Sequence, residues 1–394
     1  MARRIGGEWL SRDLPLTGVD STLNLSGPGT ISATLPPEVN RALFPDGMRM
    51  AEDWSTIIYE VNDDGQIVNH GIVLPPTAYE EASSRITCAG VSTYPNGYIF
   101  TDTRLWGPQA AVPERKNSKG KVVQEAKPAV PRPDPIAVYR DLWEWIQEQP
   151  QSDLGVVLTG DATTGTTKNA WGVEVPNVLI GTLADPVRYR KWDAVDIGSE
   201  MEALARDTPF DFVEKVHWGA DGEPVHTIEV GYPRLGRKRD DLHFAQGENI
   251  IVTPTVQTIE GSANMIVGLG NGEAGPSMVY ETSTWNDGRL RRHRVLTDKT
   301  LRSETLRRRM KVLENALGQR YDVTQIAIID HPNARISSIQ LGDEIGVVAD
   351  HPDYGPISLT VRVLSITRGA SDEVAILTTS AAAFFNYSPT EEVT

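Results

Sequence analysis

The stretch STIIYEVNDDGQIVNHGIVL, residues 55–74, decides the class of fold. Two runs rich in β-branched and aromatic residues, 55–61 and 66–74, flank the triplet Asp63-Asp64-Gly65. An Asp-Gly pair readily supplies the positive backbone angles of a tight turn, so the stretch predicts an antiparallel hairpin. Further turn signals between residues 23 and 100 predict a small β-barrel or sandwich there; they are Gly27-Pro28-Gly29, Asp46-Gly47 and Asn96-Gly97.

The composition extends this strand-and-turn pattern to the whole chain. Its 394 residues suit two to four compact units, and its 34 glycines and 26 prolines are typical of strands joined by turns. The formal charge of −15 disfavours tight non-specific DNA binding, which works by replacing counterions with Lys and Arg. The single cysteine, Cys88, excludes intramolecular disulfides and fits folding in a reducing cytoplasm. No apolar run reaches about 18 residues, so we expect no membrane-spanning segment. Glu8, Arg12 and Asp13 come before any apolar run can form near the start, so we expect no signal peptide.

Helical periodicity appears in the middle of the chain and again near residue 310. Apolar residues recur at helical spacing in 136–149, where Pro150 ends the pattern, and a shorter helix is predicted over about 199–206. A third helix, 301–317, has an apolar stripe that includes Leu306 and Met310, with Gly318 placed to cap its end. Strands are predicted at 213–218, 225–230, 249–253, 265–269, 278–281, 324–329, 340–348, 357–367 and 373–378.

Patterns that carry chemistry are weak. The seven histidines never fall at the i, i+4 spacing of a helical metal site, and no catalytic, cofactor or metal residues are assigned. Asp330-His331-Pro332 recurs as Asp350-His351-Pro352, which predicts two strand-end turns, with a shared metal or acid/base site as the alternative. Residues 160–168 resemble a phosphate loop, but Lys168 comes two residues too late, so a Thr-rich loop is predicted.

One segment is strongly basic within this acidic chain. Between Arg289 and Lys311 there are ten Lys and Arg residues and two acidic ones, a local charge of +8. A solvated helix face is the simplest interpretation. The alternative is that Arg307, Arg308 and Arg309 contact an acidic neighbour or passing DNA.

The order of motifs in the last third of the chain resembles a known family. Residues 261–268, Gly-Ser-Ala-Asn-Met-Ile-Val-Gly, precede a Ser/Thr-rich helix entry at 297–300, and Leu341-Gly342-Asp343 then leads into an alternating strand. Ala33-Thr-Leu-Pro-Pro37 fits the same pattern near the front. This sequence of features resembles the baseplate-hub and minor tail proteins of long-tailed, siphovirus-type bacteriophages, including the hub part of tail-associated proteins.

The resemblance implies an α+β, β-rich fold with two small β-barrels of tail-tube type and α/β subdomains. It implies a non-enzymatic homotrimer, a ring at the virion tail tip that is made in the host cytoplasm. Its partners would be the distal tail protein, the tape-measure protein and other minor tail proteins, and genome DNA would pass through the lumen without specific binding. The implied domains are a first barrel, 1–106; a Pro/Lys-rich arm or linker, 107–134; an α/β subdomain, 135–212; a second barrel, 213–255 with 321–382; an inserted α/β subdomain, 256–320; and a tail, 383–394.

Two other functions are open at this stage. The nine tryptophans and many carboxylates could serve an envelope-glycan or peptide hydrolase of a phage tail. Clustering of tryptophans with two carboxylates in a cleft would favour that function, and their placement in structural cores would favour the scaffold. A receptor-binding module would instead expose aromatic side chains on a loop-rich rim.

Overall fold

The structure is a computed structural model, and it divides the chain into two units. Unit 1 comprises Met1–Val19 and Ser26–Pro233, and unit 2 comprises Asp20–Leu25 and Arg234–Thr394. The residues that it describes are 1–41, 43–80, 83–106, 114–116, 122–124, 133–168, 174–176, 178, 180, 187–208, 210–251, 254–258, 263–270, 280–286, 288–297, 306–307, 310–311, 313–314, 317, 321–353, 355–369 and 373–382.

Strands dominate both units. In chain order they are β1 (Ala2–Arg4), β2 (Trp9–Ser11), β3 (Thr17–Asn24), β4 (Thr30–Leu35), β5 (Thr56–Val61), β6 (Ile67–Glu80), β7 (Ser83–Ala89), β8 (Arg104–Trp106), β9 (Arg115–Lys116), β10 (Val122–Gln124), β11 (Val157–Gly160), β12 (Thr166–Lys168), β13 (Glu174–Pro176), β14 (Val187–Tyr189), β15 (Asp211–Trp218), β16 (Pro224–Gly231), β17 (Lys238–Ala245), β18 (Thr255–Thr258), β19 (Met265–Leu269), β20 (Tyr280–Thr284), β21 (His293–Thr297), β22 (Tyr321–Ile329), β23 (Glu344–His351), β24 (Gly355–Arg368) and β25 (Val374–Ala381). The helices are α1 (Pro37–Arg41), α2 (Pro135–Gln147) and α3 (Ile197–Asp207), with short 3-10 turns at Val91–Thr93 and Ile336–Ser338.

The first sheet of unit 1 runs in the order β4-β7-β6-β5-β1-β2 with antiparallel neighbours. Both faces of this sheet are buried. Alternate residues of a strand point to opposite sides, so neighbouring residues contribute to different cores. Ile58 and Val73 pack into one core, whereas Ile57, Tyr59 and Ile72 pack into another. The hairpin of β5 and β6 follows the predicted Asp-Gly turn, so this prediction is confirmed.

The second part of unit 1 packs α2 and α3 with the sheet β11-β16-β15. Helix α2 begins after Asp134, whose carboxylate accepts hydrogen bonds from the backbone N–H of Ile136 and Ala137. Its apolar face, which includes Leu142 and Trp143, is fully buried. The predicted helices 136–149 and 199–206 and the hairpin 213–218/225–230 are confirmed within a few residues.

Unit 2 contains a continuous sheet in the order β18-β22-β25-β24-β3, with β23 pairing to β24 and β17. The long strand β24 serves several partners: its first half pairs with β23, and its second half pairs with β25 and with Ser21–Asn24 of β3. Alternate residues of β23 and β25 are buried. The strands predicted at 324–329, 340–348, 357–367 and 373–378 are confirmed, with shifted ends.

A smaller sheet, β20-β19-β21, lies within unit 2 beside the helical residues between 306 and 317 that the structure describes. Ile266 of β19 packs with Leu306, Met310 and Leu317 in a separate core. The predicted helix stripe is therefore confirmed for these residues, while the rest of 301–317, Gly318 and the strand start at 278–279 lie outside the described residues.

The predicted β-rich fold is confirmed, with few helices among the described residues, and several details differ from the prediction. Residues 249–250 form a turn and an isolated bridge rather than a strand, because Asn249 accepts and donates hydrogen bonds to the end of β17; residues 252–253 lie outside the described part. Strands β1, β2, β8 to β14, β17, β18 and β21 were not predicted. The domain bounds, the barrels and the ring stay predictions. Strands β15 and β16 lie in unit 1, whereas the prediction grouped residues 213–255 with 321–382 in the second barrel.

Candidate functional site

The predicted signature residues Leu341, Gly342 and Asp343 lie at the entry to β23 in unit 2. They follow the 3-10 turn at Ile336–Ser338. The side chain of Asp343 is only 1% exposed, and that of Leu341 is also buried. A carboxylate in such a place must be satisfied by protein donors, since the loss of hydration is otherwise costly.

Three donors reach the Asp343 carboxylate. Oδ2 accepts from the backbone N–H of Gln340 at 3.1 Å and from Nη1 of Arg239 at 2.9 Å. Oδ1 accepts from the backbone N–H of Arg237 at 3.2 Å. The sequence predicted that this carboxylate ties down its own bend, and the contact with Gln340 does so. The contacts with Arg237 and Arg239 join the bend to a strand about one hundred residues earlier in the chain.

Arg239 of β17 is only 6% exposed, and each of its described contacts satisfies a donor. Besides Asp343, it donates to the Ser338 carbonyl at 2.6 Å and makes a bidentate pair with Asp241 at 2.8 and 2.7 Å. The hydrogen bonds to Asp241 and Asp343 raise the pKa of Arg239. The hydrogen bond from Arg239 lowers the pKa of Asp241 to about 2. The pair therefore stays charged throughout the physiological range.

Beside this ion pair the backbone at Gly342 passes very close to the backbone at Leu235 and Gly236. The backbone angle φ is positive at both glycines, +87° at Gly342 and +81° at Gly236. A Cβ on Gly342 would lie 2.6 Å from the Leu235 carbonyl oxygen. Arg362, fully buried on β24, donates to the carbonyls of Gly342 at 3.1 Å and Leu235 at 2.8 Å. Only glycine fits such a crossing without displacement of the main chain.

We call Arg239, Asp343, Arg362, Gly236 and Gly342 the Asp343 cluster. It joins the segment before and within β17, the bend before β23, and β24 inside unit 2. Its charges are directed at other protein groups, and buried networks of this type fix one arrangement of the chain. The chemistry of the cluster is therefore structural. No signal in the sequence marked Arg239, because it lies three residues before Leu242 and is therefore out of phase with the buried Leu242 and Phe244; a strand irregularity between Arg239 and His243 allows all three to be buried.

The motif at 261–268 positions the smaller sheet of unit 2. Asn264 is 5% exposed, and its side chain accepts from the backbone N–H of Arg292 at 2.9 Å and donates to the carbonyls of Leu290 and Arg289 at 3.3 and 3.4 Å. Gly268 lies against the helix, where a Cβ would come within 2.4 Å of the Met310 sulfur. The asparagine thus holds a loop, and the glycine admits the helix; residues 261–262 lie outside the described part.

The basic residues of this region divide into two groups. Arg307 is exposed and pairs with Glu281 at 2.9 Å, and Lys311 pairs with Glu314 at 2.8 Å. Arg308 and Arg309 lie outside the described residues, so a contact between the helix arginines and a partner or DNA stays a prediction. A second group, from Arg289 to Arg294, is exposed before and along β21.

The weaker motifs form local structure. In both Asp-His-Pro repeats the histidine Nδ1 accepts a backbone N–H two residues later, from Asn333 at 3.2 Å and from Asp353 at 3.1 Å. Strand-end turns are therefore confirmed at both repeats. Residues 161–165 connect β11 to β12, so the predicted loop is confirmed only for them, and residues 160 and 166–168 belong to the strands. Thr164 donates to the carboxylate of Asp134 at the start of α2. Among the residues described, no three His, Cys, Asp or Glu side chains converge as metal ligands.

Of the five tryptophans between residues 143 and 218, the four that the structure describes do not lie together in one place. Trp143 and Trp145 are buried in the α2 core. Trp218 packs against Trp9 at 5.9 Å between ring centroids, and Trp192 is exposed at a turn. Trp171 lies outside the described residues. The described tryptophans thus favour the scaffold over the hydrolase.

One buried polar group in unit 1 was missed from the sequence. The rings of His70 on β6 and His226 on β16 stack at 4.8 Å, and Nε2 of His226 lies 3.1 Å from the Tyr59 hydroxyl. Burial lowers the pKa of His70, and it lowers that of His226 to about 4. Both rings are therefore neutral near pH 7. The two histidines lie on different strands more than 150 residues apart, so no local spacing linked them.

Comparison with known proteins gives a likeness of fold. No family model matches the chain, and no curated protein sequence matches it. The 43 kDa tail protein of prophage MuSo2 from Shewanella oneidensis superposes with a TM-score of 0.55 at 10% identity, covering 98% of each chain. A tail protein from Neisseria meningitidis MC58 gives 0.53 at 13% identity, covering 96% of this chain and 95% of the other.

A third structure, prophage tail protein gp18 from Listeria monocytogenes EGD-e, gives a TM-score of 0.53 at 10% identity over 96% of this chain and 93% of the other. At these identities the likeness is one of fold. No helix in the described part of the chain is long and apolar enough to cross a membrane. These three comparisons show that the chain is similar in fold to prophage tail proteins over 96–98% of its length.

Proposed function

We propose that this chain is a structural subunit of a bacteriophage tail, placed at the hub of the tail tip and without catalytic activity. Three copies form a ring in which each copy supplies two small barrels. The ring joins the tail tube and distal tail protein to the tip, and it surrounds the channel used by the tape-measure protein and the DNA. Its place of action is the virion, after synthesis in the host cytoplasm.

The observation that carries the proposal is the end-to-end likeness to prophage tail proteins of nearly the same length. The match to the Shewanella prophage protein spans 98% of both chains, so it includes both units and their order. A match to one isolated barrel would be weaker support, because small barrels serve many unrelated functions. A match over nearly the whole chain is more specific than a match to one barrel.

The surface of unit 2 offers material for contacts between copies. Ile376 and Val374 of β25 are exposed on the face opposite to the buried Leu377. Ile251 is half exposed, and its N–H donates to the carbonyl of Ala327, the residue paired with Ile376. Exposed apolar side chains grouped on a sheet face are typical of surfaces that another subunit covers. We propose this face of unit 2 as part of the ring interface.

The test is the oligomeric state of the purified full-length chain. Light scattering after size exclusion should give a species of about 130 kDa, three copies of the 43.2 kDa chain, and negative-stain images should show threefold rings. A species that stays monomeric at high concentration, alone and with the distal tail protein, would contradict the ring. A monomer that trimerises only on that partner supports it.

A matched pair of variants tests the face. Ile376→Glu adds a charge where we propose an apolar contact and should dissociate the trimer. Thr87→Glu adds the same charge at an exposed strand position in unit 1 and should leave the trimer intact. Dissociation by both variants, or by neither, would remove this face from the interface.

A further inference from the structure

We propose that residues 288–297, here called the basic edge, are a docking surface for an extended acidic segment of a partner protein. The segment would lie along β21 as an added strand. The basic edge comprises the loop that precedes β21 and the strand itself. The inference goes beyond the proposed function and does not rest on the ring, since it concerns the smaller sheet of unit 2 alone.

The first support is an unbalanced charge. The basic edge contains Arg289, Arg291, Arg292 and Arg294 and no acidic residue, and these side chains are exposed. Among the residues that the structure describes, none of the last three has a carboxylate within ion-pair distance, whereas the nearby Arg307 and Lys311 each have one. Three neighbouring exposed arginines that pair with no described carboxylate attract a partner of opposite sign.

The second support is that the loop conformation is fixed before any partner arrives. The buried side chain of Asn264 holds the N–H of Arg292 and the carbonyls of Leu290 and Arg289. The Arg292 carbonyl also accepts the N–H groups of Asn264 and Met265. A surface ordered in advance loses little backbone entropy when it binds. A merely solvated run of arginines needs no such buried anchor.

The third support is the strand edge. β21 pairs in parallel with β19, from Met265 opposite His293 to Leu269 opposite Thr297, and no described strand pairs with its other side. Unpaired backbone groups of an edge strand accept a further strand. The side of β21 that pairs with no described strand therefore offers hydrogen bonds as well as charge.

Exposed apolar residues among the arginines favour a polypeptide over DNA. Leu290 is 88% exposed and Val295 is 56% exposed, and both lie within the basic edge. Phosphates would neutralise the arginines but leave these side chains in water. An extended segment with Asp or Glu alternating with apolar residues covers both and pairs with the strand. The partner is therefore a protein segment of that chemistry.

The test uses the full-length chain and a fluorescently labelled peptide of about twelve residues in which Glu alternates with Val or Thr. Binding is measured by anisotropy at low salt, and amide exchange of β21 is followed with and without the peptide. We expect saturable binding, weakening with added salt, and slower exchange of the β21 amides. No binding to the wild-type chain, or binding without protection of β21, overturns the proposal.

Charge variants give the matched comparison. Arg291→Glu combined with Arg294→Glu should weaken peptide binding about tenfold or more. Arg188→Glu combined with Lys191→Glu makes the same change in net charge at exposed positions of unit 1 and should change binding by less than about twofold. Equal losses in the two double variants show general electrostatics and overturn the site.

A third variant and a second probe complete the test. Asn264→Ala keeps every charge but releases the loop, so it should weaken binding several-fold. Amide exchange of β19, whose Ile266 packs in the same small core, reports whether that core stays folded. A labelled DNA duplex should bind more weakly than the peptide. A duplex that binds more tightly and displaces the peptide overturns the protein partner and assigns the basic edge to nucleic acid.

Discussion

Replacing Asp343 by alanine should destabilise unit 2 by about 3 kcal/mol. The change removes a carboxylate that is 1% exposed, and it leaves the N–H groups of Arg237 and Gln340 without this acceptor. Removal of one partner from a buried ion pair costs about 3–5 kcal/mol. Arg239 keeps its contacts with Asp241 and the Ser338 carbonyl, which places the loss at the lower end of that range. For a unit of this size, about 3 kcal/mol lowers Tm by about 6–12 °C.

The assay is urea unfolding followed by hydrogen exchange, with peptides from β17 and β23 as local reporters. Asp241→Ala is the matched control, because it removes the other carboxylate from the same guanidinium but from a side chain that is 60% exposed. Solvent screens that pair, so its loss should be much smaller and should depend on salt. Equal destabilisation by the two variants, or an unchanged midpoint for Asp343→Ala, would refute the assignment of Asp343 as the central residue of the cluster.

Two further predictions concern one position in each unit. Gly342→Ala should cost about 2–4 kcal/mol in urea unfolding, because φ is +87° and the new Cβ meets the Leu235 carbonyl at 2.6 Å; Gly346→Ala, whose Cβ meets nothing within 4 Å, should be nearly neutral, and similar costs for the two would contradict the close crossing. Unit 1 should lose up to about 3 kcal/mol as the pH falls from 6.5 to 4, because the unfolded chain protonates His226 near 6.5 while burial lowers its pKa to about 4 in the folded state. Calorimetry across that range should show a weaker pH dependence for His226→Gln, and an unchanged dependence would exclude His226 as its source.

Local signals allowed much of the fold to be predicted. The β5–β6 and β15–β16 hairpins depend on Asp-Gly turns between adjacent strands, so all the information lies within about twenty residues. Strand β17 gave no such signal, because it opens with Lys-Arg-Asp-Asp and pairs in parallel with β23, about one hundred residues later. Strand β11 is similar, since its parallel partner is β16. Parallel pairing over such distances leaves no mark in a short window.

The candidate site could be predicted only in part, because some of its contacts are local and others come from distant strands. Leu341-Gly342-Asp343 indicated a bend with a carboxylate that binds nearby backbone, and Gln340 confirms that part. Nothing in the spacing showed that Arg239 and Arg362 would meet the bend from two other strands. Basic character near residue 290 was also evident from composition. The role of Asn264 in ordering this loop could not be predicted, because it depends on the pairing of β19 with β21.

The six residues Asp20–Leu25 have a practical consequence for any attempt to dissect the molecule. Ser21–Asn24 hydrogen-bond to Arg368–Ser365 of β24, although the chain before and after this segment belongs to unit 1. A recombinant fragment that starts at residue 234 would lack the strand segment Ser21–Asn24. The edge of β24 that pairs with this segment would then be exposed, and an exposed strand edge promotes aggregation. Supplying residues 17–26 as a separate peptide, or fusing them through a flexible tether, should restore a soluble product by complementation.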